Sequence, residues 1–149
     1  MTAAADLDRL NSHESIRLLA ARYCWALDTL DRDMLADVFT SESTASLGRG
    51  LQTGFEEIWQ VIHGALSRLD ISQHLIGAQI IELADDAKTA SSRCYFQAQH
   101  VRAGAVGGSQ FIVAGRYEDE LVRVSNVWRI GHRQLTVMWT SGNPAVIAL

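Results

Sequence analysis

The sequence has little that would tie it to nucleic acid, a membrane or an oxidising compartment. Its 149 residues contain two cysteines, Cys24 and Cys94, with neither metal-ligand spacing nor a disulfide framework. Both read as buried thiols that pack like small apolar side chains. The net charge is −4, and there is neither a basic stripe nor an aromatic-plus-basic ladder, which excludes nucleic acid as an expected partner. No apolar run is long enough to span a membrane. The opening MTAAADLDRLNSHES lacks the basic start and apolar segment of a secretory signal, so a cytoplasmic location is expected. Runs of like charge, internal repeats and interdomain linkers are also missing, and disorder is not expected beyond the first residues. The glycine-rich SESTASLGRGLQTG lacks the Lys and Ser/Thr ending of a phosphate loop.

What is present fits one hydrophobic core. Apolar residues make up 48% of the chain, and the length suits a single domain over residues 1–149, with 1–10 expected as a flexible arm. Asn11 and Glu14 have capping-box spacing, and Ile16, Leu19, Ala20, Tyr23 and Leu27 then share one face, which predicts a helix over 12–29. Trp25 points away from that face. Asp31 is a plausible cap for a second helix over 32–39. A short strand at 44–47 and a third helix over 55–69 follow, the latter carrying Ile58, Trp59, Ile62, Leu66 and Leu69 on one side. The period then changes to alternation, and strands are predicted at 73–83, 89–102, 109–124 and 127–139. Helices followed by long antiparallel strands define an α+β domain whose sheet curls over the helices.

Three ionisable residues stand out against this frame. Asp28 follows Leu27 by one residue and Cys24 by one turn, at the border of the buried helical stripe. His74 heads the first long apolar run, and His100 shares the inward face of its strand with Cys94, Phe96 and Ala98. A carboxylate at a core border needs hydrogen-bonded or charged company, and a histidine that provides it becomes oriented and more basic. An Asp-His pair of this kind is a general base. The residues alone leave a buried ion pair, or unrelated surface groups, equally open.

The stretches IRLLAARYCWALDTLDRDMLADVFT, QTGFEEI, SQHLIGAQIIEL and GRYEDELVRVSNVWRIGHRQL, in this order and spacing, resemble the SnoaL-like branch of the nuclear-transport-factor-2-like (NTF2-like) superfamily. That branch includes scytalone dehydratase, bile-acid 7α-dehydratases and hexachlorocyclohexane dehydrochlorinase. The resemblance implies a cone-shaped α+β barrel, three N-terminal helices packed in a strongly curved, mainly antiparallel sheet, with the pocket inside. It places the catalytic Asp on Asp28, the catalytic His on His74, a pocket tyrosine on Tyr23 and a second pocket histidine on His100, with no cofactor and no metal. It implies a lyase, in first place a dehydratase, in which His74 removes a proton from carbon, Asp28 supports it, and Tyr23 and His100 assist the substrate oxygen and the leaving group. The expected partner is a small hydrophobic, cyclic, polyketide-like or steroid-like substrate. A second tyrosine found in scytalone dehydratase has no counterpart in 41–51.

Phe39, Trp59, Cys94, Phe96 and Phe111 are the candidates for an apolar pocket wall. Arg133 is a candidate contact to a substrate carboxylate or carbonyl, although Arg129 and His132 beside it suit a solvated or intersubunit role equally. Three alternatives stay in view: cyclase or isomerase chemistry, which needs the same base without a leaving group; a ligand-binding or assembly module; and an iron site on Asp28, His74 and His100, disfavoured because nothing else suggests a metal. Trp128, Trp139 and the C-terminal VIAL, read as exposed, predict a homodimer or homotrimer.

Overall fold

In the computed structural model, which describes residues 2–147, the first helix begins earlier than its apolar pattern announces. Helix α1 spans Ala3–Thr29, with the Thr2 hydroxyl accepting the Ala5 N–H. The run Ala3-Ala4-Ala5 has the highest helix propensity available, so Asn11 and Glu14 lie inside the helix rather than capping it. Residues 3–10, expected as an arm, are helical and tied down. Both Asp8 carboxylate oxygens accept from Arg123, at 2.8 and 2.9 Å, and Arg9 donates to the Ala84 carbonyl at 3.2 Å. The predicted stripe is buried as read, and Trp25 is exposed. The helix ends where Leu30 turns left-handed, at φ 52°.

Asp31 caps helix α2 (Arg32–Val38) by accepting the Met34 N–H at 2.9 Å. The chain passes at Phe39 directly into strand β1 (Phe39–Ser46), longer than predicted, then β2 (Leu51–Thr53) and helix α3 (Phe55–Leu66). Four long strands follow, β3 (Ile71–Leu83), β4 (Thr89–Val101), β5 (Gln110–Val124) and β6 (Val127–Gly142), and a 3-10 turn spans Pro144–Val146. The sheet order is β2-β1-β6-β5-β4-β3, antiparallel except where β1 runs parallel to β6. The fold is thus the expected α+β arrangement of three helices and a curved sheet, with one correction. The sheet is mixed and open, β2 and β3 forming its two edges, so the barrel does not close.

Alternation along β4 holds as predicted: Cys94, Phe96, Ala98 and His100 are buried, while Arg93, Tyr95 and Gln97 face out. On the neighbouring strand a bulge falls between Ala114 and Gly115, and only glycine fits there. A Cβ on Gly115 would stand 2.1 Å from the Thr136 carbonyl oxygen and 3.0 Å from the Phe96 ring. This close approach accompanies a flat stack of Phe96 on Tyr117, with ring centroids 4.4 Å apart.

Trp128, expected on the surface, is instead part of the main core with Leu121 and Ile130, while Trp139 is exposed as read. The tail, expected at a neighbouring subunit, packs in part on its own chain: Thr140–Gly142 extend β6 against β5, and Val146 is buried rather than exposed. Ala148 and Leu149 lie outside the described residues. Among those described, no helix is long and apolar enough to cross a membrane.

Candidate active site

Asp28 sits in the last turn of α1, and that turn packs across the start of β3. Its carboxylate receives three hydrogen bonds from that strand. The His74 ring Nδ1 lies 2.6 Å from Oδ1, the His74 backbone N–H donates to Oδ2 at 2.8 Å, and the Ser72 hydroxyl donates to Oδ1 at 3.1 Å. Burial alone would raise the Asp28 pKa, but the bonds from His74 and Ser72 outweigh it and hold the carboxyl below its ordinary value. A charged carboxylate facing Nδ1 fixes the proton on that nitrogen. Nε2 is left as the free nitrogen of a side chain that lines the interior cavity.

His100, on β4, stands beside His74 with ring centroids 5.8 Å apart in an edge-to-face arrangement. Burial first, then the neighbouring His74, push its pKa down to about 4, so the ring is neutral near pH 7. Its Nδ1 is sealed without a partner. Tyr23, one turn and a half before Asp28 on α1, also lines the cavity. Burial raises its pKa against the pull of Arg133, and the phenol keeps its proton.

The cavity, about 180 Å³, is bounded by Tyr23, Leu27, Ile62, Leu66, His74, Phe96, His100, Val113, Tyr117 and Leu135 among others. Three of the four residues expected to carry chemistry, Tyr23, His74 and His100, therefore line one void together with Phe96, and the fourth, Asp28, is bonded to His74. The other expected wall residues are elsewhere. Phe39 is buried behind Tyr23, edge-on with centroids 6.1 Å apart. Trp59 packs by His63, Phe111 is buried on β5 opposite His100, and Cys94 is buried on β4, none of the three being among the residues that line the void. Cys24 and Cys94 are unreactive thiols, burial raising both to about 11.

Arg133 departs furthest from expectation. It is neither solvated nor open to the cavity, and only 1% of the residue is exposed. Nε and Nη2 donate to the two oxygens of Asp119, both at 2.7 Å. Its guanidinium carbon lies 4.0 Å from the ring centre of Tyr23 and 4.3 Å from that of Tyr117. Burial opposes its charge, but Asp119 more than compensates and the pKa is raised. Sequence reading missed Tyr117 and Asp119. The signal was there: Tyr117, Asp119 and Leu121 share inward parity on β5, and Asp119 stands opposite Arg133 in the register with β6.

An open α+β cone with a histidine-carboxylate pair at an interior pocket defines a protein of the NTF2-like class. Within it the SnoaL-like domain profile matches residues 8–134, and the chain belongs to that family. Several solved structures share the fold. A type 2 hexachlorocyclohexane dehydrochlorinase superposes with a TM-score of 0.83 at 18% identity over 97% of each chain. The type 3 enzyme of Novosphingobium barchaimii LL02 gives 0.81 at 18% identity, over 97% of this chain and 98% of that one. A protein provisionally described as a scytalone dehydratase, from Novosphingobium aromaticivorans DSM 12444, gives 0.82 at 20% identity, over 91% and 90%. No curated protein matches the chain in sequence.

Proposed function

We infer that the protein is a cofactor-independent lyase, a dehydratase of small hydrophobic cyclic substrates, in which His74 takes a proton from carbon. The observation that carries this reading is the 2.6 Å contact between His74 Nδ1 and Asp28 Oδ1 at the edge of an apolar cavity. Asp28 holds the ring in one tautomer and stabilises the imidazolium that forms as Nε2 accepts the proton. The electron pair of the broken C–H bond becomes a C=C bond, the neighbouring C–O bond breaks, and the departing hydroxyl leaves as water. Because His100 is neutral near pH 7, it serves as a hydrogen-bond donor to the leaving oxygen. The stronger acid is the His74 imidazolium itself, which returns the proton and regenerates the base.

The cavity volume supports a substrate with one ring in the interior. An apolar cavity of about 150 Å³ holds benzene, and the space here, which opens towards solvent, accepts a ring of that size. A panel of small cyclic hydroxy-ketones, followed by NMR for loss of water, tests the reading. On any substrate found, His74→Ala should lower turnover by about two to four orders of magnitude. A near-normal rate would reassign His74 to packing.

The neutral state of His100 also favours a second reading, enolisation or isomerisation of a ketone, which needs the same base and no strong acid. Exchange of substrate hydrogen for deuterium in D2O without water loss would select it.

A further inference from the structure

We propose that the mouth of the interior cavity is an aliphatic collar that seats a hydrocarbon substituent. The substrate is then a single-ring compound with its reacting oxygen at one end and an uncharged alkyl group at the other, a class that rests on the reading of His74 as the carbon base and narrows it. Ala65 and Val137 set the size and polarity accepted at the collar.

The side chains around the cavity divide by depth. The His74 side chain is 6% exposed, and Tyr23, His100 and Tyr117 are buried. Every hydrogen-bonding side chain that lines the void is therefore at its closed end. The more exposed side chains of the lining are all aliphatic. They include Leu47 just after β1, Val61 and Ala65 one turn apart on α3, Leu135 and Val137 on β6, and Ile147 just past the 3-10 turn. Val137, 48% exposed, is the most open of them and marks the rim.

A lone exposed valine on a sheet is ordinary. A ring of aliphatic side chains around the opening of a void whose polar groups all lie at the other end sorts a ligand by the ligand's own polarity. A ring oxygen held at the collar would lose water without gaining a partner, and would leave the inner donors and acceptors unpaired. Turned the other way, the oxygen meets those groups, and a hydrocarbon substituent leaves water against Val61, Leu135 and Val137. One ring fills the body of a cavity of about 180 Å³, so what reaches the collar is the substituent.

Charge at that end is disfavoured on the same ground. Among the described residues that line the cavity there is no Asp, Glu, Lys or Arg, so a carboxylate or phosphate at the collar is partly dehydrated with no counter-ion. Ala65 matters through what it lacks. Its methyl is the smallest side chain at the collar, and a longer one at that point of α3 would fill the space the substituent takes.

Calorimetry on the intact protein with cyclohexanone and its 4-methyl, 4-ethyl and 4-propyl derivatives reads the collar, because the 4-position lies opposite the oxygen. Affinity should rise about threefold to fourfold per carbon. The 2-alkyl isomers should show no such gain, and 4-oxocyclohexanecarboxylate should bind about tenfold or more weakly than 4-ethylcyclohexanone. Val137→Glu, at an exposed position, should flatten the 4-alkyl series, and Ala65→Leu should reverse it, so that the propyl compound binds less well than the parent. A wild-type series that is flat, as it is if a second copy of the chain covers the mouth, overturns the proposal without any variant having to fold. So does a failure of the whole series to bind, an equal rise for the 2-alkyl isomers, or a rise that survives both substitutions. His74→Ala should keep the rise. If it does, while turnover on a found substrate is unaffected by that substitution, the base assignment fails and the collar stands; turnover that depends on His74 beside a flat series is the reverse.

Discussion

His74 grips both oxygens of Asp28, through its ring Nδ1 to Oδ1 at 2.6 Å and through its own backbone N–H to Oδ2 at 2.8 Å. One residue thus sets both the position of the carboxylate and the tautomer of the imidazole it faces. Asp28→Asn keeps the shape and removes the charge, so the amide NH2 can donate to Nδ1, the ring proton then sits on Nε2, and Nε2 ceases to be the free base. Turnover on an identified substrate should fall by about two to four orders of magnitude with little change in KM. Ser72→Ala removes one of three bonds to the carboxylate and should have a far smaller effect. Steady-state kinetics on the two variants checks the ordering.

The lowered pKa of His100 makes stability depend on pH in a defined window. In the folded protein His100 titrates at about 4, against an ordinary 6.5. As pH falls from 6.5 towards 4 the unfolded chain takes up a proton that the folded chain refuses, so stability declines across that interval. The full effect is on the order of 3 kcal/mol. Asp28 acts lower: its folded pKa lies below 3.8, so its contribution is present above 3.8 and is lost only as pH falls through the folded value. Urea titrations at several pH values should show the His100 slope, and His100→Phe should remove it.

The pair at the site was legible because local rules expose it. Asp28 breaks the polarity of a helical stripe at its border, and His100 breaks the apolar parity of a strand, so both are visible within a few residues of sequence. Arg133 was misread because its meaning depends on Asp119 in another strand, in a register interrupted by two bulges along β5 and β6. Phe39 and Phe111 were rightly read as buried and wrongly as cavity wall. Hydrophobicity reports removal from water, not which void a ring faces. The parallel contact of β1 with β6 joins segments some ninety residues apart, and no local period encodes it. The early start of α1 was hidden by a capping signature at Asn11 that the alanine run overrode.

The Arg133–Asp119 pair is almost wholly excluded from water, with side-chain exposures of 1% and 5%. Removing one partner leaves the other charge buried alone. Asp119→Ala should therefore destabilise the fold by about 3–5 kcal/mol. Replacing both, as in Asp119→Leu with Arg133→Met, should restore much of that loss, since apolar side chains of similar size need no counter-charge. Chemical denaturation of the two variants distinguishes a buried pair from a surface one, for which the single substitution shifts stability by less than about 1 kcal/mol.

We propose that the outer face of the sheet carries a contact with a second copy of the chain. Leu75, Tyr95, Met138 and Trp139 are about half exposed or more and border one shallow depression across β3, β4 and β6. Apolar rings and chains gathered in this way on a rigid sheet favour contact with a second copy over contact with water. The expected species is a homodimer or homotrimer by light scattering coupled to size exclusion. Trp139→Glu places a charge at the centre of the patch and should shift the protein towards monomer without lowering its unfolding midpoint at low concentration. A wild-type protein that is monomeric at micromolar concentration removes the assignment, and one whose oligomer survives the substitution moves the interface to another face.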